Sequence, residues 1–351
     1  MVNTGGNSTG IQIRNLFKIF GRSGLEYVDK VQRGMSKTEL LEKHGHVLGL
    51  KDINIDMPAG SIQVIMGLSG SGKSTLIRHI NRLIDPTAGQ VLVEGTDVVK
   101  FTPLDLREFR RHKTAMVFQK FGLLPHRTVL ENTVYGLEVQ GLPRGKQVEA
   151  AMTWLDRVGL TGFENRYPNQ LSGGMQQRVG LARALANDAP ILLMDEAFSA
   201  LDPLIRADMQ SVLLDLQKEI RKTIVFITHD LDEALRLGDG IAILRDGEIV
   251  QQGNSQDIVL RPADDYIASF VKEVNRGRVV RVASAMAPLG DGDSRSTVSI
   301  AGEATLEAAA YVFRQNDVDK LTVVDDANMP IGTISLREVM NAMLTTERAL
   351  H

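Results

Sequence analysis

The chain has 351 residues, enough for about two domains of ~150 residues each, and its 43% hydrophobic and 24% charged content suits a globular protein with a sizeable core. A net charge of −3 and a pI near 6.2 give no electrostatic reason to expect nucleic acid or an anionic membrane as partner, and the absence of cysteine excludes disulfides, thiolate metal sites and thiol catalysis. Met1 to Gly10 lacks the basic and apolar regions of a secretory signal, and no apolar run approaches the ~18 residues that span a bilayer, so a cytosolic protein is expected.

Ile11 to Phe20 alternates apolar and polar residues, which predicts a short strand ending at Gly21. Phe20 closes it, an aromatic suited to stacking on an adenine ring or equally to a core. Gly21 to His46 leaves the sheet pattern. Its Leu25, Tyr27, Val28 and Val31 at helical spacing, the capping-box form Ser36-Lys-Thr-Glu39 and the terminating Gly45 predict two short inserted helices. Alternation returns from Val47 to Met57, and Pro58-Ala-Gly60 turns the chain into the apolar run Ile62 to Met66.

Gly67-Leu-Ser-Gly-Ser-Gly-Lys-Ser-Thr75 follows, and then the helical run Leu76 to Leu83. This is a complete GxxxxGK[ST] phosphate cradle at a strand-to-helix turn. Gly67, Gly70 and Gly72 free the backbone so that N–H groups from Ser69, Ser71 and their neighbours face phosphate oxygens, helped by the helix dipole behind Thr75. Lys73 supplies a charge for the β- and γ-phosphates, and Ser74 a hydroxyl for Mg²⁺. The ligand implied is a nucleoside triphosphate with its magnesium ion.

Asp85 to Gly89 is a turn, Val91 to Gly95 a hairpin edge, Leu104 to Arg111 a helix and Thr114 to Phe118 a strand. Gln119 stands at that strand's carboxyl end, where ligands bind in open α/β sheets, though such a Gln is also an ordinary loop residue. From about residue 122 to 187 strands give way to helices, over Thr128 to Leu137, Arg144 to Val158, and Leu171-Ser-Gly-Gly-Met-Gln-Gln-Arg178 onward. Ser172 caps this last helix, and Gly173 and Gly174 free its first N–H groups, either as a second phosphate site or as a plain helix start. Ile191 to Met194 reads as a strand buried on both faces, followed by Asp195 and Glu196. These are solvated acids, or an acid that holds Mg²⁺ through its water shell (Asp195) and a base for an attacking water (Glu196). Asp202 and Pro203 start an amphipathic helix, and Thr223 to Thr228 is a strand ending at His229, a possible donor to a γ-phosphate.

A hairpin over Ile241 to Gln252 and one closing helix over Ile258 to Val271 complete a first domain, residues 1–277. Pro288 to Ser296 predicts an exposed loop. It leads into a small α/β unit within 278–351, with strands at Thr297 to Ile300, Leu321 to Asp325 and Ile331 to Ser335 and helices at Thr305 to Arg314 and Leu336 to Leu344.

The ordered set GLSGSGKST, Gln119, LSGGMQQR, ILLMDE, SALD and His229 resembles the ATP-binding cassette family from Ile11 to about Val271. That resemblance implies an α/β P-loop NTPase with a mixed sheet core and a helical subdomain. It also implies a head-to-tail homodimer in which ATP lies between the cradle of one chain and Ser172, Gly173 and Gly174 of the other. Phe20 then stacks on adenine, Gln119 senses Mg²⁺ and the attacking water, Glu196 is the general base, His229 contacts the γ-phosphate and Asp202 joins the two sites. The insertion at 21–46 with Gly34-Met-Ser-Lys, together with VIMGLSGSGKSTLIRHINRLIDPTAGQV and ILLMDEAFSALDPLIR, resembles the ATPase subunits of importers for glycine betaine, proline betaine, choline and related quaternary amines. An integral membrane permease, docked around Thr128 to Asn132, and indirectly a substrate-binding protein are the implied partners, at the cytoplasmic face of the bacterial inner membrane. Leu321-Thr-Val-Val-Asp-Asp326 and Pro330-Ile-Gly332 resemble a CBS domain, here in one copy, which implies a sensor of adenine nucleotide or ionic strength, or a dimerisation module. The alternatives are an importer for another osmolyte or amino acid and a non-transport cassette ATPase.

Overall fold

The computed structural model describes residues 10–119, 122–289 and 296–344. Its chain divides into two units, Met1–Asp230 with Leu237–Val250, and Leu231–Arg236 with Gln251–His351.

In the first unit β1 (Ile11–Phe20) pairs antiparallel with β2 (Val47–Met57). Between them lie a 3-10 turn, Gly24–Tyr27, and two helices, α1 (Val28–Gln32) and α2 (Lys37–His44), as the spacing predicts. The β1 alternation changes phase at a bulge where Asn15 takes φ 45°. Ile11, Ile13 and Leu16 therefore enter the main core, whereas Phe17 and Ile19 enter a satellite cluster with Val31 and Leu40 of the insertion and Leu48 of β2. This leaves Phe20 half-exposed at the strand end.

β3 (Ile62–Met66) leads through the glycine-rich turn into α3 (Lys73–Ile80). With β4 (Ala88–Val93) and β5 (Thr96–Asp97) the first sheet has the order β2-β1-β4-β5. After α4 (Pro103–His112) and β6 (Thr114–Val117) come three helices, α5 (Val129–Gln140), α6 (Arg144–Arg157) and α7 (Gly173–Ala186), with no strand among the described residues between them. β7 (Ile191–Asp195), α8 (Pro203–Ile220), β8 (Thr223–Thr228), β9 (Gly240–Arg245) and β10 (Glu248–Gly253) complete the second sheet, in the order β10-β9-β3-β8-β7-β6. β9, β3, β8, β7 and β6 run parallel, and every residue of β3, β7 and β8 is buried, which is why these runs are apolar except at Gln63, Asp195, Thr223 and Thr228. Leu76, Ile77 and Ile80 of α3 join residues of both sheets in one core. The carboxyl ends of β3, β6, β7 and β8 thus lie along one edge, carrying the cradle, Gln119, Asp195 and Glu196, and His229 respectively.

The second unit contains α9 (Leu231–Leu237) as far as Arg236, a helix the sequence pattern does not signal, and then α10 (Ser255–Leu260) and α11 (Asp265–Val271). The single helix expected over Ile258 to Val271 is in fact these two. Pro262 has no N–H to continue the first, Arg261 leaves the helical region at φ −136°, and Asp264 caps the second through Ile267 N. α12 (Arg276–Val279) follows, and then β11 (Ala287–Pro288). Pro288, expected in a loop, instead ends an edge strand paired with Gly332, a position where its missing donor is tolerated. The rest of that loop, 290–295, lies outside the described residues. β12 (Ser299–Ala301), α13 (Leu306–Asn316), β13 (Lys320–Val324), β14 (Pro330–Ser335) and α14 (Leu336–Met343) form a β-α-β-β-α unit with sheet order β11-β14-β13-β12.

Candidate functional site

Gly67 stands at φ 155° with Leu244 O only 2.3 Å from where a Cβ would lie, and Gly72 at φ 106° with Gly49 O at 2.8 Å. Neither position accepts a side chain, so the loop's close approach to its neighbours fixes its path. The loop borders a cleft of about 420 Å³, lined by Phe20, Lys37, Val47, Leu48, Gly49, Ser69, Gly70, Gly72, Lys73, Ser74, Thr75, Gln119 and Glu196. Gly67 and Ser71 do not line it. The buried Ser71 Oγ has no hydrogen-bond partner. Phe20 packs close against β2 because residue 49 is glycine; a Cβ there would lie 2.7 Å from the ring.

The Lys73 ammonium is 5% exposed and donates to Gly67 O at 2.8 Å and Leu68 O at 3.1 Å, with Glu196 Oε1 at 3.4 Å. Ser74 Oγ donates to Asp195 Oδ1 at 2.7 Å, and Arg78 holds Oδ2 of the same buried carboxylate at 3.2 Å. Arg78 was missed by the sequence reading, although it lies one helical turn beyond Ser74 and so on the same face. A hydroxyl and a carboxylate side by side are hard oxygen donors that fit Mg²⁺ completed by water and phosphate. No group of three His, Cys, Asp or Glu suited to a metal occurs among the described residues.

Glu196 adopts φ 47°, a left-handed conformation that a non-glycine residue takes at a cost of about 1–2 kcal/mol. Its N–H bonds to Ile227 O, and its carbonyl accepts from Ser199 Oγ at 2.9 Å, so both ends of the residue are tied down. The carboxylate meets Gln119 Nε2 at 3.0 Å, His229 Nδ1 at 3.7 Å and the Lys73 ammonium. The four residues come from the ends of three strands and the cradle. Their convergence is the constellation the motifs anticipated; Ser199 was not anticipated as the support beneath it.

Ser172, Gly173, Gly174 and Asp202 do not line this cleft. Ser172 caps α7 by accepting from Met175 N, and Gly174 lets α7 approach α8, since a Cβ would lie 2.8 Å from Ile205. Asp202 caps α8 by accepting from Ile205 N at 3.1 Å. Within Thr128 to Asn132, Val129 and Asn132 are buried, the latter donating to Leu124, Arg127 and Thr128 carbonyls, so only Thr128, Leu130 and Glu131 are accessible there.

Residues 50–199 match the ABC transporter family and residues 293–345 the CBS domain. The chain is 46% identical over 341 residues to the glycine betaine transport ATP-binding protein OpuAA of Bacillus subtilis (strain 168), covering 96% of this chain and 82% of that protein. It is likewise 46% identical over 340 residues to the glycine betaine/proline betaine transport system ATP-binding protein ProV of Escherichia coli (strain K12), covering 97% and 84%. Among solved structures it resembles a bacterial ABC transporter cassette determined as a dimer, with TM-score 0.60 and 34% identity over 70% of this chain and 98% of that one.

Proposed function

Because the chain belongs to the ATP-binding subunits of ABC transporters for glycine betaine and proline betaine, we propose that its cleft binds and hydrolyses Mg-ATP to drive uptake of glycine betaine, proline betaine or choline-type quaternary amines in osmoprotection. Residues 1–277 form the cassette and 278–351 the CBS-containing part. The chain works as a homodimer at the cytoplasmic face of the inner membrane, attached to an integral permease that receives substrate from a binding protein. No described helix is long and apolar enough to cross a membrane, and in this reading the transport path belongs to the permease.

The chemistry follows from the side chains in place. Phe20 takes the adenine, and the N–H groups of Ser69, Gly70, Gly72 and their neighbours take the phosphates. Lys73 exchanges its two loop carbonyls for phosphate oxygens. Ser74 and Asp195 hold Mg²⁺, with Arg78 fixing the carboxylate; the ion, when bound, neutralises phosphate charge and orients the terminal group. Glu196 takes the proton from the attacking water, which Gln119 and His229 position. Ser172, Gly173 and Gly174 of the partner cover the γ-phosphate, and Asp202 links the paired sites. ATP drives closure because it binds the closed pair better than the open chains.

The observation that carries this reading is Glu196, held at a left-handed φ with its carboxylate beside Lys73, Gln119 and His229. Glu196→Gln retains ATP binding and lowers Mg²⁺-dependent hydrolysis by about 10²–10⁴-fold, the contribution of a general base. In cells holding the chain with its permease, the same variant abolishes uptake of labelled glycine betaine. Hydrolysis near the wild-type rate removes Glu196 as base, and uptake of a different solute alone reassigns the substrate.

A further inference from the structure

The insertion between β1 and β2 packs its apolar face on Phe17, Ile19 and Leu48, which explains Val31 and Leu40 but not Lys37. Lys37 is the first residue of α2, and its side chain lines the nucleotide cleft alongside Phe20, Val47 and Gly49. A cation at a helix N-terminus opposes the helix dipole, so local stability disfavours lysine there. The capping-box form of this segment is also only half realised. Ser36 accepts from Glu39 N, but the Glu39 carboxylate turns to Lys43 at 2.8 Å instead of back to the cap. Among the described residues Lys37 has one ion pair, with Asp246 of the β9–β10 turn at 3.6 Å, and both side chains are exposed, at 41% and 74%. A long, solvated pair of this kind contributes little and exchanges readily for a stronger anion.

We propose that Lys37 is a nucleotide-binding residue supplied by the insertion, which leaves Asp246 to grip the base-proximal part of ATP, the ribose and α-phosphate. It rests on the reading of the cleft as an ATP site. The nucleotide must run from Phe20, where the base lies, to Lys73 and Ser74 at the terminal phosphates. Lys37 lines the same cleft as Phe20 and Gly49, and its partner Asp246 precedes Gly247, whose N–H bonds Ser71 O of the cradle, whereas Lys73 already serves the terminal phosphates. The insertion thereby becomes part of the nucleotide site as well as a brace on the first sheet.

The test is calorimetric titration of the full chain with ATP and with ADP, in EDTA so that ATP is not consumed. Binding by the wild type tests the ATP-site reading independently. Lys37→Ala weakens ATP and ADP by the same factor, about five- to tenfold, the worth of a partly exposed charge-assisted contact. Lys37→Arg restores most of the loss. Asp246→Asn, which keeps a residue tolerant of its left-handed φ of 52°, frees the ammonium and tightens both nucleotides. Ligand-free melting of Lys37→Ala matches the wild type, because the lysine supports neither the helix nor the core. Unchanged affinity in Lys37→Ala, a loss confined to ATP, or weaker binding in Asp246→Asn overturns the proposal.

Discussion

Glu196 and His79 illustrate two ways in which one residue carries a physical burden near the cradle. Glu196 holds backbone strain to aim a carboxylate. His79, on α3 one turn past Thr75, is 1% exposed, and its Nδ1 donates to Thr75 O at 2.7 Å while Nε2 is buried without a partner. Burial pushes its pKa down from 6.5 to about 4; Lys18 adds to that shift, and the Thr75 bond and Asp85 oppose it. Since the folded pKa lies below the unfolded one, the unfolded chain binds more protons between them. Stability is complete above about pH 6.5 and declines as pH falls toward about 4. Chemical unfolding should show wild type losing about 2 kcal/mol more than His79→Leu between about pH 7 and about pH 5. Equal losses in the two proteins contradict this. At this scale the sequence displayed the residues whose chemistry is explicit in a motif, such as Lys73, Ser74, Asp195 and Glu196. It did not display those defined by a neighbour distant in the chain: Arg78 on Asp195, Ser199 under Glu196, or Gly49 beneath Phe20.

The elements were legible where local signals were strong. β2, β3 and β8 match their expected spans because alternation or continuous burial bounds them, and α5, α7 and α8 begin where Thr128, Ser172 and Asp202 cap them. Boundaries failed where one residue overrode a pattern. Pro262 split an apolar helical run into α10 and α11, and the seven-residue α9 went unread. Thr128 is a strong cap: its hydroxyl accepts from Glu131 N, and the Glu131 carboxylate accepts from Thr128 N at 2.8 Å. Those bonds also hold the Glu131 carboxyl below its usual range. Thr128→Ala removes the side-chain half of this box and should cost about 1 kcal/mol in the unfolding free energy of the cassette. A melting curve unchanged from wild type would show that the cap is dispensable and leave Thr128 to a surface role.

For the whole molecule, the described chain contains one complete cradle with its carboxylates and, elsewhere on the cassette, a helix N-terminus at Ser172, Gly173 and Gly174 that lines no part of that cleft. A division of labour between two chains is implied by family resemblance alone, since no local pattern states that a helix start serves another molecule. A clamp shared between chains makes a definite demand on mixtures. Lys73→Ala destroys the cradle, and Ser172→Arg destroys the cap on the γ-phosphate, so each protein alone should be inactive. The central claim is that every ATP site combines the cradle of one chain with the α7 N-terminus of another. The most direct measurement is the ATPase activity of an equimolar mixture of these two inactive proteins, in which each hybrid pair contains one site made wholly of intact parts. Recovery of hydrolysis on mixing is the predicted result, and a mixture as inactive as its components would place cradle and cap in the same chain.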